Sequence, residues 1–238
     1  MQLAVQMATI NARARRSHPQ AVFHALLNPG LQLRRLAVVA HAPSSHAAVL
    51  HLPDRRRARA GTFVRLATGG GQSYAFAAIP DPDGNGYRVI VPRAGDWTAE
   101  LIDSPPGRIR VRGVPVDGVT SVARLFRRVV WIATGSGIAP CLPHLLAHDG
   151  TRSHLVRVTR NPLRTYGSLL DEFGGGADAR IWDTDAHGKP DLAELATYAY
   201  RRPGAEAVIC ISNQDTTGRL VADLRRRGIP AYGPIWDS

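Results

Sequence analysis

Lysine is all but missing from this chain: of 30 basic residues only Lys189 is a lysine, and the rest are arginine. Cysteine is nearly as scarce, with Cys141 and Cys210 alone in 238 residues, which excludes the disulfide framework of a small secreted domain. A chain of this length buries roughly 70% of its unfolded surface and folds without such staples. No apolar run approaches the about 20 residues of a membrane span. The amino-terminal segment lacks the apolar core and cleavage site of a secretory signal, so a cytoplasmic location is expected. Repeats and low-complexity segments are missing too. The 23 glycines and 17 prolines are scattered, which excludes collagen-like, coiled-coil and wholly disordered chains.

What is there begins with charge. The formal net charge is +11, and basic clusters stand at Arg13–Arg16, Arg55–Arg59 and Arg225–Arg227. Such a balance suits nucleic acid or an acidic partner. No zinc-finger spacing, basic zipper or aromatic-rich RNA-binding strand accompanies it. The expectation is a cationic surface and no nucleic-acid partner.

The chain changes character near residue 120. Residues 1–31 read as an amino-terminal arm. From 32 to 120 the apolar runs are short and separated by turns: Leu36–Ala42, Ala47–Leu52, Thr62–Ala67, Ser73–Ile79, Tyr87–Val91 and Arg108–Val114. Pro80 to Gly86 (PDPDGNG) is hairpin chemistry. Short strands at this spacing predict an antiparallel β-barrel or sandwich, interrupted by one helix at Gly95–Ile102. From 121 to 238 apolar strands (Val129–Thr134, His154–Thr159, Ala179–Thr184, Ala207–Ser212, Pro230–Gly233) alternate with helical stretches at Cys141–His148, Leu192–Arg201 and Thr217–Arg227. This rhythm predicts a doubly wound α/β parallel sheet.

The strongest chemical signal follows the first parallel strand. Ala133 to Pro140 read ATGSGIAP, between VVWI and a helical stretch. Glycines there let the backbone approach a pyrophosphate. Strand before and helix after is the context this mechanism demands.

A small barrel followed by TGSGIAP on a parallel sheet resembles the ferredoxin–NADP reductase superfamily. Within it, GDWT, TGSGI, PCLPHLL, TRNP, IWDT and the terminal IWDS are similar to reductase-like domains of fungal membrane and adenylate-forming proteins. The resemblance implies a ferredoxin reductase-like two-domain fold. It implies that Thr134, Gly135, Ser136, Gly137 and Pro140 form the nicotinamide-nucleotide loop. Thr159 and Arg160 would hold the 2′-phosphate of NADPH, with Arg164 and Tyr166 as further phosphate and adenine contacts. A guanidinium fork suits a phosphate, so NADP(H) is expected over NAD(H). Cys210 matches the family's cysteine beside the nicotinamide, although Ile211 stands where glycine should follow; a buried strand cysteine is the alternative. Trp236 is the candidate aromatic over the flavin ring, or else a packing anchor.

In the flavin half the family's Arg-x-Tyr-Ser is replaced by Gln72-Ser73-Tyr74-Ala75. Tyr74, which would stack on FAD, is kept, while the phosphate-gripping Arg and the N5-bonding Ser are lost. Charged hydrogen bonds are worth roughly 1.5–3 kcal/mol each, so flavin affinity should suffer. Thr98 of GDWT is retained at a helix start and Arg93 is a substitute cation. FAD is thus left open. Asn213 and Asp215 are further candidates for the crevice. His144 and His148 lack the carboxylate of a zinc motif, so no metal is expected.

Three activities follow as expectations. The first is hydride transfer between NADPH and FAD or directly to a small-molecule substrate, with Cys210, Trp236 and Tyr74 at the reacting centre and a redox or biosynthetic partner protein nearby. The second is a flavin-independent amino-acid or hydroxy-acid racemase or epimerase using bound nicotinamide. The third is a non-catalytic nucleotide-binding module.

Overall fold

The computed structural model describes residues 33–54, 58–67, 73–81, 83–146, 152–166, 169 and 178–234. The arm at 1–31, Gln72 and Trp236 lie outside the described residues.

The amino-terminal part consists of two four-stranded antiparallel sheets. One has the order β1 (Leu33–Ala37), β8 (Arg108–Asp117), β4 (Thr62–Ala67), β5 (Ser73–Ala77). The other has the order β2 (Val39–Ser44), β3 (Ala47–Leu52), β7 (Tyr87–Pro92), β6 (Ile79–Pro80). Two apolar runs that read as single strands each cross from one sheet to the other. LAVVAHA breaks at Val38, whose N–H donates to the Gly107 carbonyl (3.1 Å). Ser73–Ile79 breaks at Ala78, whose N–H donates to the Thr62 carbonyl (2.9 Å). Strands that switch sheets at such corners let a sheet pair wrap around a core. Helix α1 (Asp96–Asp103) buries Leu101 and Ile102 against it.

A 3₁₀ segment, Val119–Leu125, leads into the parallel sheet. Its order is β11 (Asp178–Asp183), β10 (Arg152–Thr159), β9 (Arg128–Thr134), β12 (Ala207–Ile211), β13 (Ala231–Tyr232), with all four pairings parallel. The chain winds outward from β9 to β11, then returns to the other side of β9 with β12. The carboxyl ends of β9 and β12 therefore flank the switch point where ligands collect in open sheets. Burial on both faces explains why β9 and β12 read as continuous apolar runs rather than alternating ones.

Helices α2 (Leu142–Leu146), α3 (Pro162–Tyr166), α4 (Thr184–His187), α5 (Leu192–Tyr200) and α6 (Gln214–Arg226) connect the strands. Helix α6 starts three residues before Thr217 because Asn213 caps it, its side chain accepting from the Thr216 N–H (2.9 Å).

The two parts share a core. Ala47, Val49, Ile79 and Ile90 of the second antiparallel sheet pack in one cluster with Val129, Trp131, Ile138, Leu142 and Ile209. At its edge the Ser44 hydroxyl donates to the Thr165 carbonyl of α3 (2.7 Å). No helix among the described residues is long and apolar enough to cross a membrane.

Candidate functional site

The switch point is built by β9, the turn after it, and β12. Register pairs Ala133 with Ile211, so Thr134 and Ser212 are the next residues on adjacent strands. Their hydroxyls meet at 2.5 Å. This pair was not foreseen from the sequence; parallel pairing over 78 residues of separation creates it.

Beyond Thr134 the chain makes a 3₁₀ turn, Gly135–Ile138. Gly135 is exposed, has φ +52°, and has open space where a side chain would stand. That is the geometry for close approach of a ligand to backbone. Gly137 serves a different purpose: a Cβ there would lie 2.2 Å from the Ile211 carbonyl oxygen. The turn is seated against β12 because this residue has no side chain. Ser136 lies between these glycines, and Pro140 is half-buried behind them. Cys141 donates its thiol hydrogen to the Gly137 carbonyl (3.4 Å), and burial pushes that thiol well above its ordinary value.

Two predicted nucleotide residues flank the turn. Thr159 ends β10 as a buried residue, and Arg160 follows it as an exposed one. Arg160 is held by Asp185 of α4, Nε to Oδ1 3.0 Å. The acid beside this position comes from α4, which follows the neighbouring strand β11, and not from β10 itself. Asn161 turns the chain with φ +37°; its side chain accepts from the Arg164 N–H (3.2 Å) and places the exposed Arg164 one turn on.

Several expected placements are corrected. Tyr166 is not at the surface, where an adenine contact would need it. It is 2% exposed, stacks under the Arg157 guanidinium (4.2 Å) and donates its hydroxyl to the Gly135 carbonyl (3.3 Å), so it supports the turn from beneath. Cys210 does not face the crevice. Strand alternation turns it to the opposite layer, fully buried under α6 with Thr217 Oγ1 4.0 Å away, and burial raises its thiol to about 12. Asn213 uses its side chain in the α6 cap.

The residues at the flavin position fit the flavin phosphates poorly. Arg93 grips Asp103 through both terminal nitrogens and donates Nε–H to the Ser45 carbonyl (2.7 Å). The Thr98 hydroxyl accepts from the Ala94 and Gly95 N–H groups (2.8 and 3.1 Å) and donates to the Gly95 carbonyl (2.9 Å), which exhausts it. Tyr74 packs against the indole of Trp97, with centroids 4.6 Å apart.

A family model described as "Adenylate-forming reductase 03009, C-terminal domain" matches residues 119–238. The chain belongs to this family. Adenylate-forming reductase 03009 of Coprinopsis cinerea is 40% identical over 88% of the chain. A second protein of that fungus, adenylate-forming reductase 06235, matches equally. The chain spans about a fifth (21%) of the length of each. Among solved structures, full-length CYP116B46 from Tepidiphilus thermophilus superposes with a TM-score of 0.68 at 23% identity, covering 87% of this chain and 29% of that one. Phthalate dioxygenase reductase, described as transferring electrons from pyridine nucleotides to [2Fe-2S], gives 0.66 at 20% identity, covering 84% and 67%. These likenesses show a ferredoxin reductase-like two-domain fold, as the strand orders do.

Proposed function

We propose that this chain is a pyridine-nucleotide-dependent reductase domain that binds NADP(H) at the β9–β12 switch point and serves a small-molecule substrate directly. The observation that carries the reading is the turn itself: Gly135 leaves the backbone open while Gly137 locks the turn onto β12. When bound, the nucleotide supplies a hydride from its dihydronicotinamide ring. The protein's part is to position both partners. Gly135 admits the pyrophosphate to the backbone, and Thr134 and Ser212 offer hydroxyls beside it. Arg164, and Arg160 on exchanging Asp185 for the anion, would hold the 2′-phosphate; Arg160 is 81% exposed, so that exchange is open to it where it is not to Arg93.

The relatives' printed names join adenylate formation to reduction. This favours an activated acyl group as the hydride acceptor, presented by another part of a longer chain or by a biosynthetic partner protein. Reduction, rather than racemisation, is the reaction those names describe.

Arg160→Ala tests the reading. One charge-assisted hydrogen bond at an exposed site is worth about the low end of 1.5–3 kcal/mol, so NADPH affinity should fall about tenfold. NADH affinity should stay unchanged. Equal effects on the two nucleotides in a calorimetric titration would remove Arg160 from the 2′-phosphate site.

Direct transfer also predicts a colourless protein. After incubation with FAD and desalting, the visible spectrum should carry no flavin band, because Arg93 and Thr98 are engaged internally. A retained stoichiometric band would restore FAD as the intermediate carrier.

A further inference from the structure

A second cavity lies away from the switch point, on the face of the sheet covered by α5. It is a half-open space of about 560 Å³ between the edge strand β11, its neighbour β10 and α5. That volume lies within the range of small-molecule sites. The parallel register puts His154, Val156 and Val158 of β10 on the same face as Asp178, Arg180 and Trp182 of β11.

At the inner end three side chains form a closed set. His154, 4% exposed, has Nδ1 3.1 Å from a carboxylate oxygen of Asp178 and accepts at Nε2 from Arg202 (3.4 Å). Arg202 in turn holds the second oxygen of Asp178 (2.8 Å). Arginine can only donate, so Nε2 accepts from the Arg202 guanidinium, and burial pulls His154 down from its ordinary value. Asp178 is thereby turned to its two partners and is not among the residues lining the cavity.

The lining charges are then both arginines, Arg180 and Arg202. Arg180 is exposed and has no ion-pair partner among the described residues. Between them stand Leu195, the Trp182 indole, held by its Nε1–H on the Gly188 carbonyl (2.9 Å) and met by the His187 ring at 5.5 Å, and Tyr198, which is 64% exposed. Ile181 beside them is 44% exposed. Large apolar side chains left open in one place, with Arg180 as the one unpaired cation at the rim among the described residues, match a ligand with a planar apolar body and one anionic group.

We infer that the β11–α5 cavity is a binding site for an aromatic carboxylate, whose ring lies against Trp182 and Tyr198 and whose carboxylate meets Arg180. The site is separate from the nucleotide turn: Thr134 ends β9 and Ser212 follows β12, while the cavity is lined by β10, β11 and α5. It stands or falls independently of the NADP(H) reading.

The probe is 2-naphthoate, titrated calorimetrically into the full chain, with 2-naphthylmethylamine as its cationic counterpart. The expected result is one-to-one binding of naphthoate and none of the amine. Arg180→Glu, a change at an exposed position, should weaken naphthoate at least about tenfold, because it replaces a charge-assisted pair by repulsion. Its NADPH affinity and melting temperature should match those of the unaltered protein. No naphthoate binding, equal binding of the amine, or naphthoate affinity indifferent to Arg180→Glu would each overturn the assignment.

Discussion

Gly137→Ala is expected to unseat the nucleotide turn and cost both stability and nucleotide affinity. The added methyl would stand 2.2 Å from the Ile211 carbonyl oxygen and 3.0 Å from its carbon, both backbone atoms. Backbone in the centre of a parallel sheet cannot give way as a side-chain tip does, so the turn must lift off β12. Overpacking of this kind costs about 1–3 kcal/mol, and each kcal/mol lowers the melting temperature of a chain this size by roughly 2–4 °C. NADPH binding should weaken by more than about tenfold, since the turn and the Thr134–Ser212 pair would no longer share one geometry. Gly135→Ala is the comparison. It meets nothing within 4 Å, and its φ of +52° charges an alanine only about 1–2 kcal/mol for a left-handed conformation. The melting temperatures should fall in the order unaltered, Gly135→Ala, Gly137→Ala. A Gly137→Ala protein that melts and binds like the parent would show that contact with Ile211 does not hold the turn.

Arg157→Ala should be the more damaging change to the fold. Arg157 is wholly buried in β10, and burial holds its guanidinium below its ordinary value even as it lies 4.2 Å over the Tyr166 ring. Tyr166 in turn bonds Gly135, so this stack is the floor on which the nucleotide turn rests. Removing the long side chain leaves a cavity below that floor. Comparable truncations in cores cost about 2–5 kcal/mol, which corresponds to a fall of roughly 4–20 °C in melting temperature. Arg157→Met, which keeps most of the volume, should fall between. Tyr166→Phe removes only the hydroxyl on Gly135, worth about 0.5–1.5 kcal/mol, and should loosen nucleotide binding more than it lowers stability. Thermal unfolding followed by circular dichroism checks the order. An Arg157→Ala protein that melts with the parent would mean that Tyr166 keeps its place without the stack.

Much of the architecture was legible in local pattern. Antiparallel strands appear as short runs between turns, and parallel strands appear as continuous apolar runs before helices, because burial on one face or two is written residue by residue. ATGSGIAP announces its turn because glycine adopts φ +52° without strain at one position and is the residue that admits the neighbouring strand at another. The start of α6 is also locally encoded: Asn213 caps it, and it begins three residues before the stretch at Thr217–Arg227 that the sequence pattern marks as helical.

What only tertiary structure decided is which polar group finds which partner. Thr134 meets Ser212 because β12 returns beside β9, and nothing near either residue says so. Arg93 reads as a free cation until Asp103 and the Ser45 carbonyl take it. Cys210 and Tyr166 have the residue types the resemblance asks for. Strand parity turns the first toward α6, and core packing draws the second beneath the turn. A sequence determines period and punctuation, since these depend on neighbours a few residues away. Hydrogen-bond saturation and the layer a side chain enters depend on residues tens of positions distant, and they exist only once the sheets are assembled.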